Sequence, residues 1–327
     1  MTEFAPASTL AQDPALVAVE RAGLIEGVHH GRFVLTGPDG TILAAHGAVT
    51  APMYPRSSNK PMQAIGMLRA GLDLDGELLA LAAASHDGEA FHLDGVRRIL
   101  AEVDLDPGAL QTTAGLPLSE TARADWIREH GDPAPWAMNC SGKHAAMLRT
   151  CVRAGWDPET YLQADHPLQH QLVAAVGELA GEEVATVAVD GCGAPLAAIS
   201  LAGLARAFGR IAAATGGPEH QLAEAYRNHP EWASGTTRGE TALHRAVPGL
   251  VTKAGAEAVY AAGLPDGRGL AVKINDGGSR ASQIVLAQAL VELGHDHPEV
   301  MARTTEPVLG HGRPVGTIAS LVDALTH

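Results

Sequence analysis

The order of predicted strands and helices constrains this chain more than any other feature of its sequence. Residues 32–36 and 41–45 flank the turn-forming centre Gly37-Pro38-Asp39-Gly40, which predicts an early β-hairpin. Residues 252–264 and 269–274 predict a closing pair of strands, and most of the intervening segments have helical periodicity. The mixed order of these elements, with a late hairpin, favours an α+β fold over a regular βαβ sheet.

The middle of the chain contains most of the predicted helices. Residues 61–72 carry Met62, Ile65 and Leu68 at the spacing of a buried helical face, so Ser57 to Lys60 lie at the first turn of that helix. An apolar segment, residues 76–84, leads directly into Ser85-His86-Asp87. The other predicted elements are helices at 144–154, 168–179 and 281–293 and a strand at 184–189.

Composition limits the classes of protein to which this chain can belong. With 327 residues, 46% of them hydrophobic, it can bury a large core as one catalytic unit over residues 1–327, built as one body or two lobes. A flexible N-terminus is expected over residues 1–18. The net charge of -14 disfavours a nucleic-acid partner. Neither a signal-peptide pattern nor an uncharged apolar run long enough for a bilayer is present, so we expect a cytoplasmic protein without a membrane partner.

A serine and a lysine three residues apart form the first candidate for chemistry. In Arg56-Ser57-Ser58-Asn59-Lys60-Pro61, helical spacing puts the Ser57 hydroxyl and the Lys60 amine on one face. A neutral lysine amine can activate a serine nucleophile without histidine. Taken alone, this spacing is more often an N-cap beside a solvated lysine, and Ser85-His86-Asp87 is more often a turn.

Two glycine-flanked cysteines form the second candidate. They lie in Asn139-Cys140-Ser141-Gly142-Lys143-His144 and in Asp190-Gly191-Cys192-Gly193, where they could bind a metal or a small polar ligand. Buried structural thiols are the alternative, and three cysteines give no disulfide framework. Reactive residue types recur in five separate loops marked by glycine or proline, which favours a functional site and, with the serine-lysine pair, an acyl-transferring hydrolase.

Together these motifs resemble the rhizobial-type, or class 3, L-asparaginases, an asparaginase II-like family. The matching blocks are Arg56-Ser57-x-x-Lys60-Pro61, Ser85-His86, Asn139 to His144, Asp165-His166-Pro167, Asp190-Gly191-Cys192, Lys253-x-Gly255-Ala256 and Val272-Lys273-Ile274-x-Asp276-Gly277. The resemblance implies a fold similar to serine β-lactamases and penicillin-binding proteins, with an antiparallel sheet flanked by helices and an additional mainly helical lobe. It also implies a homodimer that hydrolyses L-asparagine to L-aspartate and ammonia.

The resemblance assigns a role to each site residue. It implies two serine-lysine tandems, Ser57 with Lys60 and Ser85 with Lys253. It also implies substrate-binding roles for Arg56, His86 and Asp190. The implied zinc-binding trio is Cys140, Lys143 and Cys192. Two departures touch no reactive group: Trp136-Ala137-Met138 replaces an asparagine-rich lead-in, and Ala258 replaces an expected glycine. A second lysine near Lys60 would favour a neutral amine, and we expect Ser57 to attack because its lysine partner is local.

Several alternatives remain open at this stage. A penicillin-recognising acyl-serine hydrolase has a similar ordered triplet, imitated by Ser57-x-x-Lys60, Tyr226-Arg227-Asn228 and Lys253-Ala254-Gly255. It is disfavoured because Tyr226 lies in a predicted loop and the cysteine motifs have no role there. A catalytically inactive zinc-binding or regulatory protein is disfavoured by the two intact tandems. The zinc site could instead be an empty pair of free thiols, and the sequence leaves the choice between asparagine, glutamine and other amides open.

Overall fold

The computed structural model describes residues 12–323, which form two compact units. The first comprises residues 12–58, 199–213 and 246–323, and the second comprises residues 59–198 and 214–245. That the chain acts as one catalytic unit stays a prediction.

The elements are numbered in chain order. The strands are β1 (Ala15–Arg21), β2 (Leu24–Thr36), β3 (Ile42–His46), β4 (Pro52–Met53), β5 (Thr186–Val189), β6 (Pro195–Ser200), β7 (Val251–Gly255), β8 (Val259–Gly263), β9 (Gly269–Ile274), β10 (Thr305–Gly310) and β11 (Arg313–Ser320). The helices are α1 (Lys60–Arg69), α2 (Gly76–Ala82), α3 (Ala90–Ala101), α4 (Glu120–His130), α5 (Ser141–Ala154), α6 (Pro167–Ala180), α7 (Leu201–Ala213), α8 (Gly217–Asn228), α9 (Pro230–Ala233), α10 (Gly239–Ala246), α11 (Ser279–Glu292) and α12 (Pro298–Met301).

The first unit is built on an antiparallel sheet. Its strand order is β10-β11-β1-β2-β9-β8-β7, and β3 pairs with β2 as the predicted early hairpin. Apolar side chains such as Val17 and Phe33 are fully buried. Helix α7 packs on β2, β8 and β9, and helix α11 packs on β1, β9 and β11. The predicted α+β class, with an antiparallel sheet flanked by helices, is confirmed.

Paired glycines allow α7 to approach the sheet closely. Gly263 and Gly269 face each other across β8 and β9. A Cβ atom at Gly263 would lie 1.9 Å from the Phe208 carbonyl oxygen, and one at Gly269 would lie 1.9 Å from that of Ala205. Because both obstacles are helix backbone, a methyl group can be accommodated only if the helix moves away from the sheet.

We therefore expect Gly263→Ala to lower the free energy of unfolding by about 1–3 kcal/mol, as overpacking of a dense core does. Gly27→Ala is the matched control, since a Cβ atom at this β2 glycine has no neighbour within 4 Å. Urea denaturation of both variants measures the difference. Equal midpoints for the two variants would contradict the close-packing explanation.

The second unit is mainly helical, as predicted for the additional lobe. Helix α1 packs on α6, where a Cβ atom at Gly66 would come within 3.1 Å of Leu172 and Ala175 side chains. Helix α3 packs on α5, and α2 packs on α8. Strand β5 pairs with the first part of β6. This packing fixes the start of α1, the loop after α2 and the start of α5, which carry the candidate site.

Two sequence predictions are corrected by the structure. Residues 252–264 form two strands rather than one, because the chain reverses between β7 and β8 with positive φ at Glu257 and Ala258. Ala258, with φ +54°, occupies the left-handed conformation that suits glycine best. Residues 15–18 of the predicted flexible N-terminus instead belong to β1, which begins at Ala15 and buries Leu16 and Val17; residues 1–11 lie outside the described part.

Other elements had no counterpart in the sequence prediction. These are strands β1, β4, β6, β10 and β11 and helices α3, α4, α7, α8, α9, α10 and α12. Strand β11 pairs with β1, so the tail beyond residue 294 completes the sheet of the first unit. Within residues 12–323, no helix combines the length and apolarity needed to cross a bilayer.

Candidate active site

Lys60 is the centre of a buried polar cluster in the second unit. It is the first residue of α1, with Pro61 following it in the first helical turn, and its side chain is fully buried. Its Nζ atom donates to the Ala84 carbonyl oxygen at 2.5 Å, to Ser85 Oγ at 2.9 Å and to Cys140 Sγ at 3.1 Å. These three acceptors match the three N–H donors of an ammonium group.

The Ser85 loop is held against the start of α5. The His86 backbone N–H donates to the Asn139 carbonyl oxygen, and His86 Nε2 lies 2.9 Å from Ser141 Oγ. Burial, aided by the neighbouring His92 and Lys60 charges, holds the pKa of His86 well below its ordinary value. His86, which we predicted to bind substrate, is therefore a neutral, fully buried side chain that joins two segments of the site.

The two cysteine motifs meet in the same unit. Cys140 is the N-cap residue of α5, so Lys143 follows within the first turn of that helix. Cys192 lies in the turn between β5 and β6, and Lys143 Nζ donates to Cys192 Sγ at 3.3 Å. All three residues are at least 96% buried. The structure thus brings together the three predicted metal ligands, beside Lys60 and Ser85.

The sulfur atoms differ in their affinity for protons. The hydrogen bond that joins them raises the pKa of Cys140 and lowers that of Cys192, so Cys140 is the sulfur that keeps its proton. Burial alone lowers the pKa of Lys143, but the sulfurs of Cys192 and Cys140 outweigh burial and raise it. The cluster therefore favours a Cys192 thiolate beside a charged lysine when no metal is bound.

Neighbouring side chains support the cysteine cluster. His144 Nδ1 lies 2.8 Å from the Tyr161 hydroxyl, and burial lowers the pKa of His144 to about 4. Asp190 is half-buried, and its carboxylate accepts from the Gly191 N–H at 2.8 Å while Thr113 donates to the Gly191 carbonyl at 3.0 Å. The aspartate predicted to bind substrate thus belongs to an ordered turn that also carries Cys192.

The remaining predicted residues lie in the first unit. Ser57 is half-buried in the 3-10 turn Arg56–Asn59, and Arg56 has φ +51°, a conformation unusual for a residue with a side chain. The Ser58 hydroxyl donates to the Lys253 carbonyl at 3.1 Å, so this turn packs on β7. A Cβ atom at Gly255 would lie 2.7 Å from the Pro55 carbonyl oxygen, which explains glycine there.

Cys140, Lys143 and Cys192 fit the donor set of a zinc ion. Two sulfurs joined by a hydrogen bond and a lysine amine converge in a buried place, and thiolates are preferred zinc ligands. Within residues 12–323, no group of three or more His, Cys, Asp or Glu side chains is arranged to hold a metal. A zinc site here therefore depends on Lys143, which coordinates only as a neutral amine.

Two residues near the site were not identified from the sequence. Tyr161 and His92 stand in no recognisable motif, although His144, which contacts Tyr161, follows Cys140 by four residues and so shares its helix face. Only the packing of α3 and α5 brings His92 and His144 into the same unit as Ser85.

The position of Tyr226 corrects a prediction and bears on the penicillin-recognising alternative. Tyr226 lies in α8 rather than in a loop, and it is fully buried. Its hydroxyl donates to the Ala83 carbonyl oxygen at 2.8 Å. A buried helical tyrosine whose hydroxyl donates to a backbone carbonyl oxygen is poorly suited to the proton transfers that a penicillin-recognising enzyme requires.

The comparisons with known proteins agree with the motifs. A family model described as L-asparaginase II matches residues 17–320. No curated protein sequence matches the chain. Among solved structures, a beta-lactamase from Mycobacterium bovis is 15% identical with a TM-score of 0.45, covering 80% of this chain and 94% of that one. The protein Mglu is 15% identical with a TM-score of 0.44, covering 89% and 73%. A Bacillus glutaminase is 12% identical with a TM-score of 0.35, covering 87% and 94%.

Proposed function

Because the chain belongs to the L-asparaginase II family, we propose that it hydrolyses L-asparagine to L-aspartate and ammonia through a serine acyl-enzyme. The observation that carries this proposal is the buried contact between Lys60 Nζ and Ser85 Oγ, 2.9 Å long. A lysine hydrogen-bonded to a serine can move protons to and from a reacting group once its amine is neutral.

Ser57 is the proposed nucleophile. Its side chain is half-buried, whereas Ser85 and Lys60 are 5% and 0% exposed, so Ser57 is the serine that a substrate reaches more easily. The Ser57 oxygen bonds to the carboxamide carbon while Lys60 accepts the hydroxyl proton. That proton then passes to the departing nitrogen with Ser85 as relay, the carbon–nitrogen bond breaks, and ammonia leaves. Water hydrolyses the resulting ester and releases aspartate.

Lys60 must change its hydrogen bonds to act as a base. An ammonium group can serve the Ala84 carbonyl, Ser85 and Cys140 at once, but a neutral amine has only two N–H donors and one lone pair. The neutral amine keeps all three contacts only if Ser85 or Cys140 reverses its hydrogen bond and donates to the lone pair, and that lone pair must be free again before Lys60 can accept the Ser57 proton. The predicted second tandem, Ser85 with Lys253, would provide the second cation that favours this neutral form.

Three further residues are proposed to hold the substrate. Arg56 supplies a guanidinium suited to the α-carboxylate, and Asp190 supplies a carboxylate suited to the α-ammonium group. His86, buried next to Ser85, supplies a neutral imidazole beside the reacting amide. The preference for asparagine is part of this proposal, as are the homodimer and the cytoplasmic location.

The function is tested by measuring ammonia release from asparagine, glutamine and a dipeptide amide, with and without a chelator. We expect asparagine to be hydrolysed fastest. If zinc-loaded protein releases no ammonia from any of the three, the inactive zinc-binding alternative is correct. Turnover of a chromogenic β-lactam would instead identify a penicillin-recognising enzyme.

Zinc is the proposed metal of the Cys140, Lys143 and Cys192 cluster. A zinc ion with an open coordination position would polarise a bound substrate oxygen as a Lewis acid. A zinc ion whose positions are all filled by protein would instead hold the ligating segments in place. The protein residues would hold the start of α5 against the turn that carries Asp190. Losing the metal should therefore disturb substrate capture more than folding, because the large core of the unit does not depend on it.

We expect Cys140→Ser and Cys192→Ser to lose most bound zinc and to raise KM for asparagine by about tenfold, as disturbed metal sites do. Cys151→Ser is the matched control, since Cys151 is a buried free cysteine of α5 outside the cluster. Zinc content, KM and thermal unfolding are measured for all three variants and the parent. Equal zinc content in all four proteins would refute the assignment, and unfolding on mild chelation would show that the metal is structural.

A further inference from the structure

Two stacked histidines next to the candidate site make an unusual pair. The rings of His86 and His92 lie 5.2 Å apart between centroids, with 21° between their planes, and both side chains are 0% exposed. His86 directly follows Ser85, and His92 is the third residue of α3. Phe91 packs against His92 at 4.1 Å between ring centroids, so the pair has an apolar neighbour.

The hydrogen bonds determine which nitrogen of each ring carries the proton. Ser141 Oγ donates its only proton to the Trp136 carbonyl oxygen, so it must accept from His86 Nε2–H at 2.9 Å. His92 Nε2 lies 3.0 Å from the Glu231 carbonyl oxygen, which can only accept, so this nitrogen is also protonated. In their neutral forms, both rings therefore present a bare Nδ1 acceptor.

Neither acceptor has a partner within the described residues. The Nδ1 atoms of His86 and His92 are both buried and make no hydrogen bond there. Buried polar atoms without partners are rare, and each costs free energy unless a ligand or water satisfies it. A ligand that satisfies such an atom must be small enough for a buried place and must carry a donor hydrogen.

Ammonia has these properties, and amide hydrolysis would release it near Ser85. We propose that the Nδ1 atoms of His86 and His92 accept hydrogen bonds from the released ammonia and hold it before it leaves the protein. This inference rests on the proposed amidohydrolase function. A metal ion fits less well, because within residues 12–323 no third His, Cys, Asp or Glu joins the two rings in a metal-binding group.

Nitrogen-15 NMR of the histidine-labelled full chain tests the site directly. We expect the Nδ1 signals of His86 and His92 to have the position of an unprotonated imidazole nitrogen and to shift when ammonium chloride is added. Potassium chloride at equal concentration should leave them unchanged, as should the bulkier tetramethylammonium chloride. Signals that do not respond to ammonium chloride would overturn the proposal and identify buried water as the partner. Because this measurement needs no turnover, it separates failure of the site from failure of the proposed activity.

Variants of His92 give the second test. His92→Gln keeps an N–H donor near the Nε2 position but lacks the Nδ1 acceptor, whereas His92→Asn keeps an acceptor near the Nδ1 position. Loss of one hydrogen bond should raise the inhibition constant of ammonium in asparagine hydrolysis by about tenfold in His92→Gln. In His92→Asn, the inhibition constant should lie between that of His92→Gln and that of the parent. His170→Gln, at an exposed histidine of α6, is the control. Equal inhibition of the parent and His92→Gln would also overturn the proposal.

Discussion

Lys60→Arg should lower kcat for asparagine hydrolysis by about 1,000-fold, nearly as much as Lys60→Ala, because a positioned base contributes roughly 10²–10⁴-fold to the rate. A guanidinium keeps the positive charge but cannot lose a proton near neutral pH. It is also too large for a place where three acceptors surround a single nitrogen atom. Ammonia release under saturating substrate measures the loss.

Lys273→Arg is the matched control for this substitution. Lys273 is a half-buried lysine of β9 that donates to the Glu257 and Ile274 carbonyl oxygens, contacts that an arginine can also make. We expect this control to stay within a few-fold of the parent, and circular dichroism should show that both variants are folded. If Lys60→Arg retains most of its turnover, Lys60 acts as a positive charge and not as a base.

The second large effect is expected at the two serines. Ser57→Ala should lower kcat by roughly 10⁴-fold or more, because removal of a nucleophile leaves only binding and oxyanion stabilisation. Ser85→Ala should cost about 100-fold, since it removes a proton relay but leaves the attacking group in place. Mass spectrometry of protein quenched during turnover should find the aspartyl ester on the peptide that contains Ser57.

Ser58→Ala is the control for this pair. Ser58 is a buried neighbour whose hydroxyl donates to the Lys253 carbonyl, so its loss reports on the stability of the turn alone. Near-normal turnover in Ser57→Ala, together with an ester on the Ser85 peptide, would make Ser85 the nucleophile, with the 2.9 Å contact to Lys60 as its activating bond.

The sequence predicted individual elements best where the periodicity was strong. The hairpin of β2 and β3, helix α5 and helix α6 appear close to the predicted positions because local apolar spacing determines them. It failed at the β7–β8 reversal, because residues 252–264 contain no proline or asparagine to mark a turn, and Ala258 stands in the left-handed conformation instead of glycine. It also missed β10 and β11, whose pairing with β1 is a long-range contact.

The site divides in the same way between local and long-range causes. Motifs such as Cys140 to Lys143 and Ser57 to Lys60 are visible in the sequence because their reactive residues stand three positions apart, the spacing of one helical turn. The contact of Lys60 with Ser85 and that of Lys143 with Cys192 join residues 25 and 49 positions apart. Only the packing of the helices in the second unit creates those contacts, and no local pattern encodes them. The sequence by itself determined the family and the reactive residue types, whereas the tertiary structure decided which of those groups share protons.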